Sequence, residues 1–339
     1  MSLRHIFSGL LIFLTLHVLA QEGRNAYSFL EVPTSSHAFA LGGTNITIID
    51  DDLTMVDQNP GLLGAEIESQ VSFNYMHYLG SSNFAGVKYG MASGERGAWA
   101  IGIQYLGYGS MQQTEPDGTI VGSFSPQDVV FSGTYAHDFT ERLRGGINVK
   151  MIYSNYEQYS AIALATDLGI NYYNEERDMS LSLVVKNLGG QIKRFDDAYD
   201  RLPIDIQLGW MQRLGKSPFQ LSITATHLTK WNLPYWARET KNGIETEVLK
   251  DNFGSNLFRH LIFGLQYSLS DKFYIGLGYN HKMKTDMSTY QRNFLSGFSV
   301  GVGFKAKAFA FGISYAQPHK AGSSIMLNIS ANMRELLRR

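Results

Sequence analysis

The 339-residue chain is 44% hydrophobic, 13% aromatic and 17% charged, with 34 glycines, 8 prolines and no cysteine. The missing cysteine excludes a disulfide scaffold, a cysteine-ligated zinc site and a cysteine nucleophile. Twenty-nine basic against 30 acidic residues leave a formal charge of -1, which offers no net field to attract nucleic acid, so no nucleic-acid partner is expected.

Arg4 and His5 precede an apolar run from Ile6 to Val18, and Val18-Leu19-Ala20 then gives way to Gln21, Glu22 and Gly23. This order reads as a secretory signal peptide over residues 1–20, cleaved after Ala20. An uncleaved anchor is disfavoured because the run is shorter than the roughly 20 residues a helical span needs. No later run is long and apolar. The rest of the chain is therefore either soluble outside the cytoplasm or crosses a membrane as a closed β-barrel, the other structure that can satisfy its backbone there.

Residues 21–69 lack strand alternation and read as an amino-terminal hatch. Ser35, Ser36, Ala38, Phe39, Ala40 and Leu41 lead into Gly42-Gly43, followed by Asp50-Asp51-Asp52 and then Asn59-Pro60-Gly61-Leu62-Leu63. Small residues, glycines and a proline suit a compact plug. The acidic run, with Asp57 and Asn59, invites a calcium reading but lacks the alternating spacing and glycine of an EF-hand loop. Carboxylates that cap local turns or pair with lumen bases are expected instead, with no metal and no cofactor.

From Gln70 onward the pattern changes to period two. Trp99, Ile101, Ile103 and Tyr105 alternate with small or polar residues, as do Leu143, Ile147, Val149, Met151 and Tyr153, then Ile162, Leu164, Leu168, Ile170 and Tyr172. Ile206, Leu208 and Trp210, Phe263, Leu265 and Tyr267, Val300, Val302 and Phe304, Phe311, Ile313 and Tyr315, and Leu327 and Ile329 continue it. Each such segment places one kind of side chain on each sheet face. Short charged connections, such as Ser93–Gly97, Asn174–Asp178 and Lys305–Lys307, alternate with longer ones, such as Gly107–Gln127, Gly189–Pro203 and Thr229–Arg259. The reading is all-β: an outer-membrane barrel of about fourteen antiparallel strands over residues 70–332. Its outer face would meet outer-membrane lipid, and even parity puts both termini on the periplasmic, short-turn side. Trp99, Tyr105, Tyr153, Tyr172, Trp210 and Tyr315 fall near strand ends, where interfacial aromatics belong. A secreted sandwich or propeller is disfavoured because the opposite phase carries Gly, Asn, Ser and charge instead of a bulky core.

Arg144, Lys150, Asp167, Lys186, Asp205 and Arg213 fall on that opposite phase and are assigned to the lumen, since an Arg or Lys facing lipid at the midplane costs roughly 2–4 kcal/mol. Mutual pairing that braces the wall is favoured over a substrate pathway. Thr229–Arg259 supplies a candidate partner-binding loop through Trp231, Tyr235, Trp236 and Arg238, because aromatics and Arg anchor interfaces; folding over the barrel mouth is the alternative. The tail, residues 333–339, is expected to be periplasmic and frayed. No catalytic residue is expected. Gly297-Phe298-Ser299-Val300-Gly301 matches a hydrolase nucleophile elbow by letters alone, since Ser299 sits inside a strand pattern with no helix following, and the nine histidines show no metalloprotease spacing.

The order of small-residue run, Leu41-Gly42-Gly43, acidic cluster and Asn59-Pro60-Gly61-Leu62 resembles the hatch of FadL-type outer-membrane transporters, which are similar in having fourteen strands. A narrower resemblance rests on Phe29-Leu30-Glu31-Val32-Pro33-Thr34-Ser35-Ser36, Ala40-Leu41-Gly42-Gly43, Asp50-Asp51-Asp52 and Asn59-Pro60-Gly61-Leu62-Leu63. These are similar to the amino-terminal pattern of the PorQ family, FadL-like and PorV-related barrels of the type IX secretion system in Bacteroidota. The match spans Tyr27 to Gly64 and departs at Ser36-His37, where the pattern usually has Ala-Arg. The resemblance implies a non-enzymatic subunit of the attachment complex, which docks a PorZ-like surface protein beside PorV and the sortase-like PorU and helps anchor exported cargo to lipopolysaccharide. The alternative is a FadL-like transporter of hydrophobic small molecules. The two differ in what lines the lumen; a general porin ranks third because of the plug.

Overall fold

In a computed structural model the chain is described at residues 27–50, 52–197, 199–241, 244–286, 294–319 and 322–337. The signal peptide, Asp51, Arg338 and Arg339 lie outside these residues.

The first strands are β1 (Gln70–His77), β2 (Asn83–Ser93), β3 (Gly97–Gly107), β4 (Met111–Thr114), β5 (Ile120–Phe124) and β6 (Gln127–Thr140). They are followed by β7 (Leu143–Tyr156), β8 (Tyr159–Asn174), β9 (Met179–Lys193), β10 (Asp205–Arg213), β11 (Phe219–Ala225), β12 (Tyr235–Lys241) and β13 (Ile244–Lys250). The last are β14 (Leu261–Ser270), β15 (Phe273–Asn280), β16 (Phe298–Ala306), β17 (Phe309–His319) and β18 (Gly322–Asn332). Fourteen of them form one closed antiparallel barrel, and β4–β5 and β12–β13 are separate hairpins within two of the long connections. Closure is made by β1 on β18, with Gln70 opposite Asn332 and His77 opposite Ile325.

The period-two pattern explains the wall. Ile101, Val149, Leu208, Val300 and Ile329 are exposed on the outside, while their neighbours Ala100, Asn148, Gln207, Ser299 and Asn328 are buried inside. An apolar exterior around a polar interior suits a barrel in lipid and no water-soluble sheet. Tyr105, Tyr153 and Tyr315 lie toward the long-loop rim, and Trp99, Tyr172 and Trp210 toward the short-turn rim, so the aromatics form two girdles. Among the described residues no helix is long and apolar enough to cross a membrane.

Helix α1 (Ser36–Ala40) and short 3-10 turns at Leu53–Asp57 and Pro60–Leu62 lie within the barrel. Phe39, Leu41, Leu53, Met55 and Leu63 are buried there, each contributing about 1.5–3 kcal/mol through its side chain. The chain does not enter from the short-turn rim throughout. Tyr27, the first described residue, stacks on Phe195 and accepts from Gln191 Nε2 at 2.9 Å near the long-loop rim. It then descends through the lumen before leaving into β1. The start of β1 thus lies at the short-turn rim and Tyr27 near the long-loop rim; the amino end itself, expected on the short-turn side, lies outside the described residues.

Three further helices complete the fold: α2 (Phe253–His260), α3 (His281–Asp286) and α4 (Met333–Leu337). The last corrects the expected frayed tail. Asn332 Oδ1 accepts from the backbone N–H of Arg334 and Glu335, and Arg334 pairs with Glu68 at 3.1 Å.

Candidate functional site

The hatch and the wall are built for each other. A β-carbon at Gly146 would collide with the Pro60 carbonyl, one at Gly169 with Asn59 Oδ1, and one at Gly278 with the backbone of Leu41 and Gly42. The glycines of the inner phase thus open space for hatch backbone. Gly42 itself has φ +102°, a conformation glycine reaches without a β-carbon penalty. Its N–H donates to Ser299 Oγ at 2.9 Å, and that hydroxyl donates to the Ala40 carbonyl at 3.0 Å. The serine of the spurious elbow is a fastener for the hatch. Asn59 Oδ1 accepts from Gly61 N–H at 2.8 Å while its Nδ2 donates to the Ile46 carbonyl at 2.9 Å; Pro60 follows as the first residue of the 3-10 turn.

The acidic cluster divides by role. Asp50 pairs with Lys305 and lies 3.2 Å from His37 Nδ1, whose ring stacks on Tyr274. Burial works against the Asp50 carboxylate, but His37 and Lys305 outweigh it and hold the group well below the ordinary range. Asp52 caps the next turn, accepting from Thr54 N–H at 2.9 Å. Burial and the neighbouring Asp50 charge push it up. Asp51 lies outside the described residues. Asp57, absent from the sequence-based lumen set, binds Lys88 and accepts from Gln104 Nε2 at 2.7 Å and Thr34 Oγ1 at 3.0 Å. Lys88 was legible as a lumen residue, since it alternates with outward Val87 and Tyr89.

The remaining lumen charges fall into two groups. Arg144 joins wall to hatch, binding Glu66 at 2.8 Å and Asp138 at 2.5 Å, and Lys150 pairs with Asp167 at 2.8 Å. Arg213 reaches Asp178 at the short-turn rim rather than the lumen interior. Lys186 and Asp205 are brought opposite each other on β9 and β10 without forming an ion pair. Above the hatch lies a chamber of about 480 Å³, whose walls combine Asp57, Lys150, Asp167, Lys186 and Asp205 with apolar Phe29, Leu30, Val32, Phe39, Leu106 and Val130; Arg144 and Arg213 lie outside it. Its upper rim carries Glu31, 3.6 Å from His227 Nε2. Burial opposes the Glu31 charge, and His227 lowers its pKa below the ordinary value.

At the long-loop rim the four candidate partner residues do different things. The Tyr235 ring lies 4.9 Å under the buried Arg259 guanidinium, which in turn binds Thr285 and Asp286. Burial raises the Asp286 carboxyl, and Lys282 and Arg259 more than reverse this. Trp231 stacks on His260 at 5.0 Å and tilts against Phe253. These two rings anchor the β12–β13 hairpin. Trp236 is 56% exposed beside Leu249, its cross-strand partner. Arg238 lies in β12 opposite Glu247.

No protein-family model and no curated protein matches the sequence. Solved structures do match the fold. The Ralstonia pickettii toluene transporter TbuX superposes with a TM-score of 0.52 at 12% identity, over 89% of this chain and 98% of that one. The Pseudomonas putida toluene transporter TodX gives 0.54 at 11%, over 88% and 98%. A Pseudomonas aeruginosa FadL homologue gives 0.50 at 11%, over 88% and 98%. At such identities the likeness is one of architecture: this chain has the FadL-like outer-membrane barrel fold.

Proposed function

We propose that this protein is a non-enzymatic barrel of a Gram-negative, Bacteroidota-type outer membrane that acts as a docking subunit. The assembly is the type IX secretion attachment complex that its amino-terminal segment resembles. The observation that supports this reading is the hatch: its backbone, seated on the glycines of the inner wall, fills the lower half of the lumen, while the chamber above it mixes charged walls such as Lys150, Asp167 and Lys186 with apolar ones such as Phe29, Leu106 and Val130. A filled lower half leaves no straight path through the barrel and makes the outward-facing loops the working surface. In this reading the long connections face the cell exterior and α4 the periplasm. Trp236 and its hairpin contribute to the surface that receives a PorZ-like protein near PorU and PorV, and the chemistry of cargo anchoring to lipopolysaccharide belongs to the sortase-like partner.

A second reading, transport of hydrophobic small molecules, is favoured by one specific observation: the barrels of like fold include two described as toluene transporters. The deciding experiment is a native-detergent pull-down of the tagged protein from outer membranes of its host, with mass spectrometry of proteins and extractable lipids. Co-recovery of a sortase-like protease and a large surface β-protein supports the docking reading. Recovery of the barrel alone, carrying an apolar ligand, overturns it in favour of transport.

A further inference from the structure

On the outside of the wall, β8 to β11 carry two rows of apolar side chains that lie across the four strands. Tyr172, Leu181, Trp210 and Ile223 form the row nearer the short turns, and Ile170, Leu183, Leu208 and Ala225 the row above it, each residue facing the next across a ladder. Between the rows runs a groove of about 680 Å³, and its floor holds Ser182 and Gly209, paired across β9 and β10. Three strand spacings make it roughly 14 Å long. The floor is backed from inside: a β-carbon at Gly209 would meet Ile46 and Thr47 of the hatch, so the wall has no room to yield inward.

What fills this groove follows from where it lies. It opens on the apolar outer face of the barrel, where Leu181, Leu183 and Leu208 are exposed, and the hydrocarbon region supplies no water to fill it. An empty groove would strip its walls of van der Waals partners. Its volume lies within the range of small-molecule sites, about 300–1,000 Å³. Its ten lining residues fall short of the roughly 20–30 a side that a stable protein interface uses, so a second copy or a partner protein fits it poorly. An acyl chain is the apolar rod that the surroundings provide.

The rim below the groove is cationic. Trp210 stands three residues before Arg213, the end of β10, or about 10 Å along the strand. In the flanking turns Arg213 holds Asp178 and Arg142 holds Glu176. That leaves Arg177 and Lys216, both exposed and without an ion pair among the described residues, against Glu175. We propose that the groove is a binding site for one glycerophospholipid of the leaflet at the short turns, with an acyl chain between the two rows and the phosphate beside Arg177 and Lys216. Long cationic side chains reach into the headgroup layer while their stems stay on apolar surface, and Tyr172 and Trp210 belong to the girdle that marks this interface. The site goes beyond the docking reading and does not depend on it, since it lies on the outer wall away from the long loops and is assayed on the isolated barrel.

The test titrates the full purified chain in detergent with phosphatidylglycerol carrying a brominated acyl chain, since bromine quenches tryptophan at contact, and reads the part of the quenching that Trp210→Phe removes. That part should saturate at one lipid per barrel. A brominated fatty-acid methyl ester, which lacks the phosphate, should bind about fivefold more weakly or worse, the worth of a cation beside an anionic lipid. Ala225→Phe, which fills the groove from the lipid side, should abolish the saturable step; Leu208→Trp is a second filling variant, and heat-modified gel mobility checks that both remain folded barrels. Arg177→Glu combined with Lys216→Glu should weaken phosphatidylglycerol by about fivefold or more and leave the methyl ester unchanged, and Val300→Phe, elsewhere on the outer wall, should change neither. Quenching that grows in proportion to lipid and never saturates reports exchanging annular lipid only and overturns the proposal. So does a saturable step that survives both filling variants, or a methyl ester that binds as tightly as the phospholipid.

Discussion

Along β7 and β8 the inner wall passes from Gly146 and Gly169, which the hatch fills, to Lys150 and Asp167, which face a chamber. In the first region the stabilising contacts are van der Waals packing and short backbone hydrogen bonds, and every atom of added volume is felt. In the second they are ion pairs whose attraction must offset the loss of water around two charges. One wall therefore carries two kinds of seal: a steric one toward the short turns and an electrostatic one toward the long loops. The first blocks passage by volume, and the second sets fixed ion pairs beside the apolar walls of Phe29, Leu106 and Val130.

Breaking the electrostatic region should have the largest effect. Asp167 is 1% exposed and Lys150 8%, so Lys150→Met strands a buried carboxylate. A loss of about 3–5 kcal/mol is expected, seen as a lower urea midpoint for refolded barrel in lipid. Adding Asp167→Leu should restore most of it, because replacing both partners by apolar residues removes the uncompensated charge. The steric region should respond less in energy but more in permeability. Gly169→Val drives a side chain into Asn59 and Pro60 and should cost about 1–3 kcal/mol while raising single-channel conductance in planar bilayers. Gly133, with nothing near its missing β-carbon, is the control, and Gly133→Val should change stability by no more than about 0.5 kcal/mol.

The pH response sharpens the same contrast within the hatch. The folded-state pKa of Asp50 lies below its ordinary 3.8, so its carboxylate contributes stability above that pH and loses it as pH falls through the depressed folded value. Midpoints measured from pH 5 downward should fall, and Asp50→Asn should flatten that part of the profile. An unchanged profile in the variant would show that the Asp50–Lys305 tie does not hold the hatch.

How much of this was readable beforehand follows the same division. The barrel was legible because period-two alternation is a local signal repeated on every strand, and the turn chemistry separates the strands. The glycines of the inner phase were visible, but not that Gly146 and Gly169 accommodate Pro60 and Asn59, because that pairing joins segments about a hundred residues apart in sequence. The lumen charges were placed by phase, which works for Lys150 and Asp167. It misassigns Arg213, since at a strand end the side chain can reach the rim, here Asp178. The β8–β9 register shift, where Lys186 and Asn187 stand against Asp167 alone, carries no glycine or proline to mark it. The descent of residues 27–34 from the loop rim is set by tertiary contacts of Tyr27, Glu31 and Thr34, none of which forms a local pattern.

The smallest effect on stability is expected at the rim, where two neighbours of one hairpin separate structure from surface. Tyr235 holds the hairpin base through the Arg259 guanidinium, so Tyr235→Ala removes a desolvated cation–π contact of about 2 kcal/mol and loosens α2 and α3 with it. Trp236 is exposed and touches none of that machinery, so Trp236→Ala should leave the unfolding midpoint within about 0.5 kcal/mol of the wild type. Under the docking reading it should nevertheless reduce recovery of the surface partner sharply, because exposed tryptophans are the residues that most often dominate an interface once covered. Full partner recovery by a normally stable Trp236→Ala barrel would move the contact surface to another loop, whereas loss in Tyr235→Ala alone would trace it to hairpin geometry rather than to the tryptophan ring.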